Sequence, residues 1–160
     1  MEEKLKQTDS NCIKVVLFGP ESTGKTTLAK QIARYYNSVW VPEYAREYLQ
    51  KKWNNERKTC EQSDLLPIAV GQMEIENRSA KKTDSVLVCD TDLLETKVYS
   101  EEYYDGDCDP HLNKYAIENN YVEIISLLVK NGAKTNLTDD DGNTPLSIAR
   151  QLGYHEIEKI

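Results

Sequence analysis

Apolar positions in this chain fall into runs of two kinds. Ile13-Lys14-Val15-Val16-Leu17-Phe18 and Ser85-Val86-Leu87-Val88-Cys89-Asp90 are short and nearly continuous, as strands covered on both faces are. Elsewhere the apolar residues return at helical spacing. Leu28, Ile32 and Tyr35, with Ala29 and Ala33 beside them, predict a helix over residues 26 to 36. Ser38 to Val41 reads as a third short strand that Pro42 stops. Glu43 to Lys52 follows as helix and Asn54 to Lys58 as polar loop. Leu65, Leu66, Ile68, Ala69, Met73 and Ile75 predict a long helix over 64 to 82, capped by Ser63, with Pro67 in its first turn. The order strand, helix, strand, helices, strand predicts an α/β layered domain with a parallel sheet of about three strands.

Beyond Tyr115 the pattern changes. At an offset of 33, Ala116 aligns with Ala149, Tyr121 with Tyr154, Glu123 with Glu156 and Ile124 with Ile157. Thr144-Pro145-Leu146 stands between them, and this period and turn resemble an ankyrin repeat. Ile124, Ile125, Leu127 and Leu128 form one apolar stripe, Gly132 is placed as a left-handed helix cap, and Thr144 caps the next helix with Pro145 at its first position. The expected organisation is a frayed polar tail over 1–11, a phosphate-loop domain over 12–115 and a short all-α ankyrin-like segment over 116–160. With the G-x-x-x-x-G-K-[ST] spacing of Gly19 to Thr26 between its first strand and first helix, the first domain reads as a truncated P-loop NTPase fold, and it stands next to a segment whose use would be to bind a protein partner.

The strongest chemical signal lies between the first strand and the helix after it. Gly19-Pro20-Glu21-Ser22-Thr23-Gly24-Lys25-Thr26 is a complete G-x-x-x-x-G-K-[ST] loop. Its glycines let the backbone wrap an anion, successive N–H groups and the helix N-terminus supply partial positive charge, and Lys25 adds a full one. Gly19, Glu21, Ser22, Thr23, Gly24, Lys25, Thr26 and Thr27 are therefore the expected ATP-binding residues, with the Thr26 hydroxyl on Mg²⁺. Asp90, at the end of its strand, is the expected second metal ligand, or else a capping aspartate; Asp92 lies two residues on. Glu43 follows the second strand, where it either orients an acceptor hydroxyl or stabilises an exposed helix start by pairing with Arg46 one turn later. Tyr44, Tyr48, Tyr103 and Tyr104 either stack on a ring or form core edges.

Charge and cysteine usage narrow the partners. A net charge of −7 carries no basic footprint, which argues against nucleic acid and anionic membrane. No apolar run approaches a membrane span, and the first eleven residues lack the apolar core of a signal peptide. Cys12, Cys60, Cys89 and Cys108 are widely spaced without a C-x-x-C pair, so reduced thiols in a cytoplasmic protein are expected rather than zinc. Asp105, Asp107 and Asp109 suggest a calcium loop, but Pro110 and Ala116 occupy the positions of its turn glycine and bidentate glutamate, so an exposed turn is expected instead.

Three blocks in this order, GPESTGKTTLA, VPEYAREY and VLVCDTDLLETKVY, make residues 13 to about 115 resemble the ribosylnicotinamide kinase domain of NadR-type NAD-salvage proteins. The resemblance implies transfer of the ATP γ-phosphate to the 5′-hydroxyl of nicotinamide riboside. It assigns Lys25, Glu43 and Asp92 to catalysis, with Glu43 or Asp92 as base, and Glu43, Tyr44 and Arg46 to the nucleoside. Thr26 and Asp90, with Asp92 beside them, fall to the metal. After residue 115 the family continues with two more strands and an arginine-bearing lid, where this chain has the ankyrin-like pattern; reduced or absent transfer is the expectation. The alternative is an ankyrin-type binding module carrying a non-catalytic nucleotide-binding remnant.

Overall fold

The structure is a computed structural model that describes residues 2–19, 22–130, 132, 134–138 and 142–151. A single 3-10 turn, Glu2–Lys4, leads into strand β1 (Ile13–Val16), helix α1 (Lys25–Tyr35), β2 (Val39–Val41), α2 (Tyr44–Glu56) and α3 (Gln62–Ala80). Strand β3 (Val86–Cys89), α4 (Leu93–Tyr103), α5 (Pro110–Lys130) and α6 (Pro145–Gln151) follow among the described residues. The three strands are parallel in the order β1-β3-β2, with Val16 opposite Cys89 on one side and Val41 opposite it on the other. This is the expected α/β class with a three-strand parallel sheet.

Alternation along the central strand decides what lies on each face. Leu87 and Cys89 pack with Val41 and Ala80 towards α3, while Val88 packs with Ala29 and Ala33 of α1. Leu87, Val88 and Cys89, three of the four residues of β3, are at most 1 % exposed, which explains their unbroken apolar run. The outer edge of β1 carries Ile13, which is exposed.

Several expectations are corrected at this level. Helix α2 continues to Glu56 through residues read as loop, closing on Arg57 in a left-handed conformation. Helix α3 starts at Gln62, so Ser63 lies inside it and Pro67 falls in its second turn. Its cap is Glu61, in a reciprocal box with Asp64, whose carboxylate accepts from the Glu61 amide at 2.7 Å. Lys52 reaches over from α2 to Glu61 at 2.7 Å and to Asp64, a contact between distant residues that local pattern does not encode.

The N-terminal segment is not a frayed tail. Leu5 is fully buried among Ala69, Met73, Leu93, Leu112, Tyr115 and Ala116. Asn119 donates to the Leu5 carbonyl at 2.8 Å and accepts from the Gln7 amide at 3.2 Å, and Asn77 accepts from the Thr8 amide at 2.9 Å. One leucine in a polar stretch carries no periodicity, so the packing site became visible only when α3 and α5 were in place.

Helix α5 crosses residues 115 and 116 without a break, and Ala116 sits in the core of the α/β body. Gly132, at φ 86°, donates to the Val129 carbonyl at 3.0 Å, as expected of a left-handed cap. Thr144 caps α6: its hydroxyl accepts from the Ser147 amide at 3.1 Å. The side chains of Tyr121, Glu123, Ile124, Ile125, Leu127, Leu128 and Ala149, and residues Tyr154, Glu156 and Ile157, on which the repeat reading rests, lie outside the described residues.

Candidate functional site

The phosphate loop and the end of β3 meet because β1 and β3 are neighbours and parallel, which puts both carboxyl ends at one edge of the sheet. Gly24 takes φ 88° at the start of α1, a conformation that a side chain would strain, and it lets the chain turn directly into the helix. Thr26, in the first turn, donates its hydroxyl to Asp90 Oδ2 at 2.5 Å. Lys25 Nζ donates to the Gly19 carbonyl at 2.5 Å, across the loop. Ser22, Thr23, Gly24, Lys25, Thr26 and Thr27 border a cavity of about 510 Å³ whose far wall holds Glu43, Arg46, Asp90 and Glu95. Pro20 and Glu21, the latter an expected nucleotide contact, lie outside the described residues.

Asp90 is 4 % exposed, and its Oδ1 has no hydrogen-bond partner. A buried carboxylate oxygen without a donor, beside a threonine hydroxyl, suits a hard divalent cation that takes two protein oxygens and completes its shell with phosphate and water. The residues therefore fit Mg²⁺. No cluster of three or more His, Cys, Asp or Glu side chains arranged for metal occurs among the described residues.

Asp92 is placed differently from the expectation. It is fully buried and caps α4, its Oδ1 accepting from the amides of Leu94 at 3.0 Å and Glu95 at 3.2 Å. Helix starts leave such amides without partners, and a short carboxylate at the N-cap satisfies them. Asp92 does not border the loop cavity; Glu95, three residues later, does. The carboxylate of Glu95 stands 3.8 Å from Lys25 Nζ. Burial pushes the Glu95 carboxyl above the usual carboxylate range, against a hydrogen bond from Thr91 and the charge of Lys25. Helical phase carried the signal that sequence reading missed, because with Asp92 as cap, Glu95 and Tyr99 are one turn apart on the same side of α4.

Glu43 precedes α2 and makes no side-chain cap; it pairs with Arg46 at 3.0 Å, and both border the loop cavity. Tyr44 turns away from that cavity. Its ring lies against Gly71 of α3, and its amide donates to Gln72 Oε1 at 2.9 Å. Tyr48 donates to Asp64 at 3.1 Å, so both tyrosines of α2 serve the packing of α2 on α3.

A second cavity, of about 460 Å³, opens beside the first and shares Glu43, Leu49, Thr91, Glu95 and Tyr99 with it. Its inner wall is Leu65 and Ile68, and Tyr99, Tyr103 and Tyr104 form an aromatic side on which Tyr99 and Tyr103 stack at 5.4 Å. In the turn at residues 105–109, Asp109 caps α5 and Asp107 accepts from Gln62 Nε2.

A parallel α/β sheet with this loop after β1 and a carboxylate after the adjacent strand defines a P-loop domain. A family model described as AAA domain matches residues 14–158, nearly the whole chain, and the chain belongs to that family. The match runs past residue 115 and includes the stretch read as ankyrin-like. Among curated proteins, the chain is 29 % identical over 89 residues to the trifunctional NAD biosynthesis/regulator protein NadR of Salmonella typhimurium, and equally so to that of Escherichia coli. The matched stretch is 56 % of this chain and 22 % of either relative. The fold is similar to a crystal structure of NadR protein in complex with NAD and AMP-PNP, with TM-score 0.52 at 22 % identity, covering 92 % of this chain and 40 % of that one. The chain is thus a P-loop AAA domain distantly related to NadR. No helix among the described residues is long and apolar enough to cross a membrane.

Proposed function

We propose that the chain binds ATP with Mg²⁺ at residues 19–27 and phosphorylates the 5′-hydroxyl of a nucleoside, nicotinamide riboside, held in the aromatic cavity. The observation that carries this reading is the contact between Thr26 and Asp90 at 2.5 Å, next to a second cavity that shares a wall with the first. The kinship to NadR supports the acceptor. Lys25 and the loop amides hold the β- and γ-phosphates; Thr26 and Asp90 hold the metal. Bound there, Mg²⁺ neutralises charge on the phosphate oxygens. In the transfer, the acceptor oxygen bonds to the γ-phosphorus, the bond from that phosphorus to the β–γ bridging oxygen breaks with its electrons on ADP, and the hydroxyl proton passes to Glu43. Arg46, which borders the loop cavity, offsets the charge of the transferring group in this reading. The aromatic side of the cavity, Tyr99, Tyr103 and Tyr104, is the surface for a cationic pyridine in this reading. Asp92 acts by fixing the start of α4. A chain with four free thiols suits the cytosol.

Calorimetric titration with ATP and Mg²⁺ tests the first part; Lys25→Ala should reduce affinity by at least about tenfold, the loss expected when a charged phosphate contact is removed. Labelled phosphate moving from ATP to nicotinamide riboside, and much more slowly in Glu43→Gln, tests the second. Equal heats for wild type and K25A would sink the nucleotide site.

A second reading is that residues 116–160 form an ankyrin-like surface for a protein partner, with the nucleotide site as a non-catalytic remnant. The 33-residue offset and the Thr144 cap favour it, the latter made reciprocal by Thr144 N donating to Ser147 Oγ at 2.8 Å. The unbroken α5, where a repeat would turn near Asn119 and Asn120, speaks against it.

A further inference from the structure

Glu95 stands on the wall that the two cavities share and faces Lys25, which borders the loop cavity. Their charged groups are 3.8 Å apart, and both side chains are more than four-fifths buried, at 18 % and 16 % exposure. The second carboxylate oxygen of Glu95 is buried with no hydrogen-bond partner. A hydrogen bond from Thr91 and, after it, the charge of Lys25 offset the cost of holding this carboxylate out of water, and Lys25 is the cation of the two. A phosphate in the loop seeks the same ammonium, so the anions compete for one lysine. Glu95 also borders the aromatic cavity, where its neighbours are Thr91, Tyr99 and the acidic Glu43.

Resting on the nucleotide reading above, we infer that Glu95 is the anion which phosphate displaces from Lys25, and that this exchange couples the two cavities. With Lys25 engaged by phosphate, the Glu95 carboxylate lacks its counter-ion. A ligand in the aromatic cavity that brings a positive ring or a hydroxyl donor then supplies what Lys25 no longer does. Nucleotide therefore raises the affinity of the second cavity for such a ligand, and by reciprocity the ligand raises affinity for nucleotide. Glu95 is a positioning residue in this scheme, acting through Lys25 and through the electrostatics of the shared wall.

The experiment is calorimetry on the full chain, titrating ATP with Mg²⁺ into wild type, Glu95→Gln, Glu95→Ala and K25A. Nicotinamide riboside is then titrated with and without AMP-PNP. Removing the competing carboxylate should tighten ATP binding about fivefold in both Glu95 variants, the scale of a partly buried ion pair. In wild type, AMP-PNP should tighten nicotinamide riboside binding by about the same factor, and in E95Q that gain should vanish. A structural role alone would weaken ATP binding in the variants. Unchanged or weaker ATP binding in both, absence of coupling in wild type, or coupling that persists in E95Q overturns the inference. If wild type binds ATP no better than K25A, the nucleotide reading itself fails and the inference falls with it; ATP binding that depends on Lys25 but ignores Glu95 rejects the inference alone.

Discussion

The ring of Tyr44 occupies the place that a side chain at Gly71 would take: a β-carbon added to Gly71 would fall 2.1 Å from Tyr44 Cε1. This close approach seats α2 on α3 and sets where α2 begins, and so where Glu43 stands at the edge of both cavities. Gly71 lies in the middle of a 19-residue helix, where glycine costs about 1 kcal/mol relative to alanine. The close packing of the two helices is the gain that offsets it.

Gly71→Ala should for that reason destabilise the protein despite better helix propensity. Overpacking of this kind costs about 1–3 kcal/mol, and displacing an aromatic ring sits at the upper end. Denaturant melts should show the loss, and a Tyr44→Ala background should reverse its sign, because the space is then open. A stabilised G71A single variant would contradict the packing.

Leu5→Ala should cost about 2–5 kcal/mol, the range for deleting a buried leucine side chain. Glu3→Ala, at an exposed position in the same segment, should change stability by less than about 0.5 kcal/mol. Equal melts for the two variants would return the first eleven residues to the status of a tail.

Acid should weaken the junction of α2 and α3. Burial works to raise the Asp64 carboxyl, but hydrogen bonds from Lys52, the Glu61 amide and Tyr48 outweigh it and leave the pKa below the usual value. A depressed carboxyl pKa means that the unfolded chain takes up a proton before the folded one does. The stabilisation is therefore complete above the usual carboxylate pKa of about 4 and is lost as pH falls from there through the folded value. Asp64→Asn should be less stable than wild type at pH 7 and should show a shallower acid decline. A decline of unchanged slope in D64N would place the acid sensitivity elsewhere.

Asp90→Asn should remove most of the Mg²⁺ dependence of ATP binding, with metal affinity reduced by at least about tenfold. Chelation of metal with EDTA should then bring wild type close to the variant. If D90N keeps its full response to Mg²⁺, Asp90 serves as a partner of Thr26 alone.

The elements themselves were legible because their signals are local. Unbroken apolar runs marked β1 and β3, three- and four-residue spacing marked α1 and α3, and the glycine spacing of the loop marked the turn between β1 and α1. Even the meeting of Thr26 with Asp90 followed, since parallel strands side by side bring their carboxyl ends to one edge. Errors fell where a side chain had a choice of partners. Ser63 is a good cap in isolation, yet Glu61 caps α3 because Asp64 and Lys52 complete its network. For Asp92 the sequence showed only its distance from Asp90, and the structure adds that its carboxylate closes the start of α4.

By itself the sequence determined a parallel α/β sheet, a phosphate loop after its first strand and a carboxylate after its central one, because backbone periodicity and turn chemistry are written in neighbouring residues. Only the tertiary structure decided that Leu5 is core, that Tyr44 belongs to packing and that Glu95 faces Lys25. Those outcomes depend on which helix faces come together, and burial settles that between residues far apart in the chain.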